Sequence, residues 1–265
     1  MKLLGSGALV AAANLTDIGA TLLRNVILAR LLTVSDFGVT ATFTILMTLI
    51  DVGLSSGLNN MVVQARDVND PVLQRTLHAV QLSLGGIMSL ILLLAAWPYA
   101  ALMGTPQHAW AYALMALVPL MRSMVNNDSY RLQRHGRFAP SMIRQMIPPL
   151  VGVLAIYPAY LWLGDYRVVI VTIYVQNLAL LLATHYGAER RYALGFDRAI
   201  ARRAFAFGWP LFLNSLLIYF VINGDRMVVS NQFGIETLGW FSAAVMLTLM
   251  PMNFVAKTVQ TLILP

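Results

Sequence analysis

Windows of about 20 mostly apolar residues, the length of helix that crosses a hydrocarbon core of about 30 Å, recur along the whole of this chain. Eight such windows can be placed, at residues 7–32, 37–64, 79–103, 109–127, 142–163, 167–186, 205–230 and 236–262. Composition agrees with them. Hydrophobic residues make up 58% of the 265 and charged residues only 11%, whereas a water-facing surface alone normally demands about 25% charged residues. The expectation is an all-α membrane protein of about eight transmembrane helices.

The basic residues then have to be explained, because a formal charge of +7 can also mark a nucleic-acid binder. They fall between the spans. Connections after the first, third, fifth and seventh windows are short and hold no Lys or Arg, as in Thr33-Val34-Ser35-Asp36 and Gly164-Asp165-Tyr166. The alternate connections carry Arg66 and Arg75, then Arg131, Arg134 and Arg137, then Arg190, Arg191, Arg198, Arg202 and Arg203. The positive-inside rule puts these, and the N-terminus with Lys2, in the cytoplasm. Attraction to anionic inner-leaflet lipid is the plain reading of the basic loops, and no nucleic-acid partner is needed. The first apolar run continues to Leu32 and contains Asp17 and Arg24, which marks a retained helix and not a cleaved signal peptide.

A weak internal repeat is present. Sliding the chain by 201 residues lays Ser35-Asp36-Phe37-Gly38 over Glu236-Thr237-Leu238-Gly239 and matches Gly7 with Gly208, Leu15 with Leu216 and Leu46 with Leu247. It superposes span one on span seven and span two on span eight in the same direction. The implied organisation is a six-helix lobe over residues 1–186, a basic cytoplasmic linker over 187–204, and the first two helices of a second lobe over 205–265. A complete second lobe needs about four more helices, so the chain is expected to be part of a longer transporter.

Ionisable groups in hydrocarbon are costly and usually face a protein interior or a water-filled cavity. Asn14, Asp17, Thr21 and Arg24 share one face of span one, and Thr40, Thr44, Thr48, Asp51, Ser55 and Asn59 form a stripe on span two. Span seven offers Asn214, Tyr219, Asn223, Asp225 and Arg226, span eight Asn253 and Lys257, and span four Arg122. Mutual neutralisation is the plain alternative, with Asp17 serving Arg24 and Asp225 serving Arg226 or a backbone group. As a set, the stripes point to a polar cavity between helix bundles, because ordinary interhelical packing favours small residues and scattered hydroxyls. Arg24, Arg226, Lys257 and Arg122, with Asn14 and Asn223, are the candidates for holding a phosphate or diphosphate headgroup, which a guanidinium meets with a bidentate fork. Asp17, Asp51 and Asp225 are the candidates for taking up a proton or a cation. Pro98, Pro119, Pro148, Pro149, Pro158, Pro210 and Pro251 fall within or at the ends of spans and suit bent helices.

No catalytic motif is found: there is no phosphate-binding G-x-x-x-x-G-K-[ST], no H-E-x-x-H and no G-x-S-x-G. His78, His108, His135 and His185 lie in or beside connections without ligand spacing and read as solvated or interfacial. Asp67 and Asp70 beside Pro71 read as a turn or cap. With no cysteine, a disulfide framework and a thiolate site are excluded. The chain is expected to be no enzyme, with no cofactor and no metal.

The stretch Ala29-Arg30-Leu31-Leu32-Thr33-Val34-Ser35-Asp36-Phe37-Gly38, followed by Asp51-Val52-Gly53-Leu54-Ser55-Ser56-Gly57-Leu58, resembles the opening helix pair of Wzx-type polysaccharide flippases. Asn223-Gly224-Asp225-Arg226, then Phe233-Gly234 and Leu238-Gly239-Trp240-Phe241, resembles their seventh and eighth helices, and Arg131 to Phe138 is similar to the basic loop after helix four in the lipopolysaccharide and exopolysaccharide exporter branch. The superfamily also holds multidrug extruders and lipid II flippases. The resemblance implies two six-helix lobes working by alternating access, and a substrate of undecaprenyl-diphosphate-linked oligosaccharide moved across the bacterial inner membrane, with cation coupling in some members. It implies as partners the lipid-linked oligosaccharide, membrane lipids, and the polymerase and glycosyltransferases of the same pathway. A cation-coupled multidrug extruder is the nearest alternative, disfavoured by the basic cavity. A polymerase or ligase of glycan assembly would carry a large periplasmic loop, and a purely structural subunit would not need the charged stripes.

Overall fold

Each element of the computed structural model is helical, over described residues 2–54 and 69–248, with side chains described from residue 12 onward. α1 spans Lys2–Leu31 and α2 Val34–Leu54; α3 spans Pro71–Leu102, and a 3-10 turn at Pro106–His108 leads into α4, Ala109–Met115, and α5, Val118–Ser123. The short α6, Asp128–Arg134, precedes α7, Ala139–Leu163, α8, Arg167–Tyr186, and α9, Arg198–Phe233, and Ile235–Thr248 forms α10. Five of these, α2, α3, α7, α8 and α9, are long and apolar enough to cross a membrane. The chain is an all-α membrane protein.

Local chemistry sets the helix ends. α2 opens on a Thr33 cap, whose hydroxyl accepts the Asp36 amide at 3.1 Å and donates to the Asp36 carboxylate at 2.7 Å. Asp70 caps α3 by accepting the Val72 amide, with Pro71 in the first turn, so the reading of Asp70 as a cap holds; Asp67 lies outside the described residues. The helix therefore begins well before the apolar window at 79. Span four, expected as one helix over 109–127, is instead broken into α4 and α5. Pro119 has no N–H for the Met115 carbonyl and its ring crowds that turn, so Leu117 bonds back three residues to Leu114. Pro148, Pro149 and Pro158 sit inside a continuous α7, and Pro210 inside a continuous α9.

α7 and α8 form a hairpin around Gly164, with α1 laid along α7, while α3 packs on α4 and α5 and α9 packs on α2 and α3. α2 is the central helix. Its Phe43, Leu46 and Ile50 meet Leu92 and Ala96 of α3, Tyr112 and Met115 of α4, Ile156 of α7 and Val169 and Ile173 of α8 in one core. Within it the Tyr112 hydroxyl sits 2.6 Å from that of Thr42 and 2.9 Å from that of Thr105. The outer faces are apolar: Leu94, Leu154, Trp162 and Val221 are 73–82% exposed, a surface that lipid, and not water, must cover.

The described basic connections gather at one end, where hydrogen bonds and ion pairs tie them together. Asp128, fully buried, accepts Arg131 Nε at 2.6 Å and the amides of Glu189 and Arg190 at 2.9 and 3.1 Å. Burial resists its ionisation, yet Arg131 and those two amides outweigh that and hold the carboxyl below the usual carboxylate range. Glu189 bridges Arg131 and Arg137, which hold its carboxyl low as well. Asn126 donates to the Arg190 carbonyl, and His78 lies 3.3 Å from the Ala193 carbonyl with its ring stacked on Tyr192. Residues 187–197 are thus a pinned strap, and 198–204 already belong to α9. One expectation is corrected here: His78 is buried, not solvated. Arg131, Arg137 and Arg190 take acids and carbonyls of the chain as partners.

Candidate functional site

A cavity of about 270 Å³ opens between α1, α2, α5, α8, α9 and α10. Its polar wall is the α2 stripe: Thr40, Thr44, Thr48 and Asp51 line it in succession, one turn apart. The three threonine hydroxyls donate back to carbonyls of their own helix, at Phe37, Thr40 and Thr44, which leaves their lone pairs free to accept. Ser55 and Asn59, the continuation of that stripe, lie outside the described residues.

Three arginines converge on this wall: Arg24 from α1, Arg122 from α5 and Arg226 from α9. They are not equivalent. Arg122 Nη1 pairs with the Asp51 carboxylate, and its Nε donates to Asn177 Oδ1 at 2.7 Å. Gln81 fixes the backbone at the same point by donating to the Arg122 carbonyl at 3.2 Å. The Nε of Arg24 and the Nε of Arg226, by contrast, are buried without a hydrogen-bond partner from the chain. Buried donors of this kind carry a large desolvation cost unless something in the cavity accepts from them, and an oxyanion does so best.

Other sequence candidates fall elsewhere. Asn14 does not line the cavity; its Oδ1 accepts Gln145 Nε2 at 2.8 Å across the α1–α7 interface. Asn223 is buried and donates to the Tyr219 carbonyl, and Asp225 accepts the Arg226 amide at 2.7 Å, the backbone service that was its plain reading. Asp17 stands on the α1 face that carries Arg24, and is half-buried and outside the cavity lining. Lys257 and Asn253 lie outside the described residues. Asn25, Gln176, Asn177 and Ser242 were missed as cavity and support residues. The Gln176-Asn177 pair in an otherwise apolar span gave the same kind of signal as the stripes.

Residues matched by the internal repeat meet in the cavity wall: Asn25 and Arg226, and Ala41 and Ser242, are each 201 positions apart and all four line it. The sequence profile of a family described as polysaccharide biosynthesis protein matches residues 27–265, nearly all of the chain and all but one of the helices that build the cavity in full. The chain belongs to the polysaccharide biosynthesis protein family. It is similar to the succinoglycan biosynthesis transport protein ExoT of Rhizobium meliloti (strain 1021), with 26% identity over 249 residues. That alignment covers 90% of this chain and 48% of the relative, so the chain spans about half the length of the curated relative it matches. No solved structure gives a significant match.

Proposed function

We propose that this chain is part of a polysaccharide exporter that carries an undecaprenyl-diphosphate-linked oligosaccharide from the cytoplasmic to the periplasmic leaflet of the bacterial inner membrane. Two lobes alternate access to the cavity between them: a six-helix lobe over residues 1–186, and a second beginning at 205, after the linker of 187–204. The basic connections face the cytoplasm, as does the N-terminus. The role is transport and not catalysis.

One observation carries this reading. Arg24 and Arg226 line one cavity and each has an Nε without a hydrogen-bond partner from the chain, while the third arginine there is paired with Asp51. Two guanidinium groups on α1 and α9, helices of opposite lobes, each with an Nε that no group of the chain accepts from, suit the two phosphates of a diphosphate, and the accepting threonines beside them suit its hydration or the first sugar hydroxyls. A cationic drug would meet repulsion here, which favours the exporter over the multidrug reading. The transport relative and the family match support the same direction. Asp51, poised on Arg122, is the group suited to bias the cavity between states on protonation or cation binding.

Arg24→Ala and Arg226→Ala in the full-length protein are each expected to lower surface glycan at least about tenfold while leaving the protein in the membrane, as a lost charge-assisted contact implies. Arg198→Ala, on an exposed position at the start of α9, is expected to be silent. Normal glycan in both cavity variants contradicts the assignment.

A further inference from the structure

At the end of the bundle away from the basic connections, α2 and α10 cross with their backbones in direct contact. Gly38 and Gly239 are each the fifth residue of their helix. A Cβ on Gly38 would lie 2.0 Å from the Ile235 carbonyl oxygen and 3.2 Å from Gly239 N; one on Gly239 would lie 2.4 Å from the Val34 carbonyl oxygen and 3.3 Å from Gly38 N. The same shift of 201 that matches Gly38 with Gly239 matches Val34 with Ile235. Each contact is therefore the image of the other about a local two-fold axis, the signature of an isologous interface between repeated units.

The crossing stands directly over the cavity. Phe37, Thr40 and Ala41 of α2 and Ser242 and Met246 of α10, on the next turns, line it. Beside it, Ser230 Oγ donates to the Met103 carbonyl at 2.7 Å and Asn231 Nδ2 to the Leu102 carbonyl at 2.9 Å, which ties the end of α9 to the end of α3. Ser230 is fully buried.

We infer that the Gly38–Gly239 crossing, flanked by the Ser230 and Asn231 bonds, is a backbone seal that closes the cavity at this end and has to part for the cavity to open there. The inference rests on the two-lobe reading above. A seal of backbone against backbone has no side chain to swing aside, so it holds only while both helices keep this approach, and small residues at both positions are what permit it. A methyl group would drive the helices apart by about 1 Å at Gly38 and about 0.6 Å at Gly239, since real Cβ contacts essentially never fall below 3.0 Å. The few hydrogen bonds at the rim add closure without making it irreversible.

The test places a single cysteine at Ser242 in the full-length protein, with any other cysteine replaced by serine, and times its labelling by a membrane-impermeant maleimide added outside intact spheroplasts. Slow labelling is expected in the parent, and at least about fivefold faster labelling with Gly38→Ala or Gly239→Ala, a shift in population toward the parted state. Gly86→Ala, where an added Cβ meets nothing within 4 Å, is expected to label like the parent. Ser230→Ala adds no atoms and is expected to accelerate labelling, so it decides if neither glycine variant accumulates. Unchanged labelling in variants present at parental levels overturns the seal, and so does a parent that labels as fast as an exposed cysteine. Because labelling counts no glycan, faster labelling with normal glycan in the Arg24 and Arg226 variants would sustain the seal and overturn the substrate reading instead.

Discussion

Tyr112 places a phenol hydroxyl in a core that faces no water, and two threonines meet it there. Thr42 also donates to the Val39 carbonyl at 2.7 Å, so it keeps a partner without Tyr112. Tyr112→Phe, which preserves the ring against Phe43, is expected to cost about 1 kcal/mol, the net value of an ordinary hydrogen bond. Thermal unfolding in detergent measures it, and a loss of about 3 kcal/mol or more, as for a core cavity, would show that the hydroxyls act as a single unit. At this scale the sequence told which residues are unusual, and less about which partners they take. Arg24, Arg226, Asp51 and the threonine stripe were legible because a charged or hydroxyl group at helical spacing in an apolar window has few explanations. That Arg122 belongs to Asp51 and Asn177 was not, since those three lie on α5, α2 and α8 and only the packing brings them together.

Helix ends and connections carry the next level. The strap of 187–197 is fixed to α6 through one buried carboxylate, Asp128, which accepts from Arg131 and two strap amides, and to α3 through Arg75, Thr76 and His78. Asp128→Asn leaves Arg131 without its buried counter-charge, at a cost of about 3 kcal/mol, and is expected to expose Arg190 and Arg191 to trypsin in membranes. Asp128 has a folded pKa below its unfolded value, so its contribution is complete above the unfolded value of about 4 and is lost as pH falls through the lowered one. Strap protection in the parent protein should accordingly be flat from about pH 8 to 5 and fail only in stronger acid; a loss between about pH 7 and 6 would implicate a histidine. The strap was illegible in the sequence because nothing local marks the acid that holds it: Asp128 lies 61 residues before Glu189, whose amide it accepts. Likewise every proline was visible, yet Pro119 breaks its span while Pro148, Pro149, Pro158 and Pro210 do not, because neighbouring helices decide whether a freed carbonyl and a displaced turn are accommodated.

For the molecule as a whole, α2 is the organising element: one side builds the apolar core, its hydroxyl stripe builds the cavity wall, and its first turns build the crossing with α10. The apolar windows made the all-α membrane class legible, since length and hydropathy alone define a spanning helix. The repeat was faint in sequence, resting on a few matched positions, and it gains physical content where matched residues touch: Gly38 with Gly239 over the cavity, and Asn25 and Arg226 within its wall. A basic cavity in a member of the polysaccharide biosynthesis family supports the proposal at the centre of this account, that the full-length protein moves a lipid-linked glycan across the membrane. The measurement that tests it most directly is deletion of the full-length gene in its host, with complementation, followed by assay of surface polysaccharide and of the undecaprenyl-diphosphate-linked oligosaccharide pool. Loss of the surface polymer while its lipid-linked unit accumulates is the predicted result; unchanged glycan with altered resistance to toxic cations or drugs would contradict it.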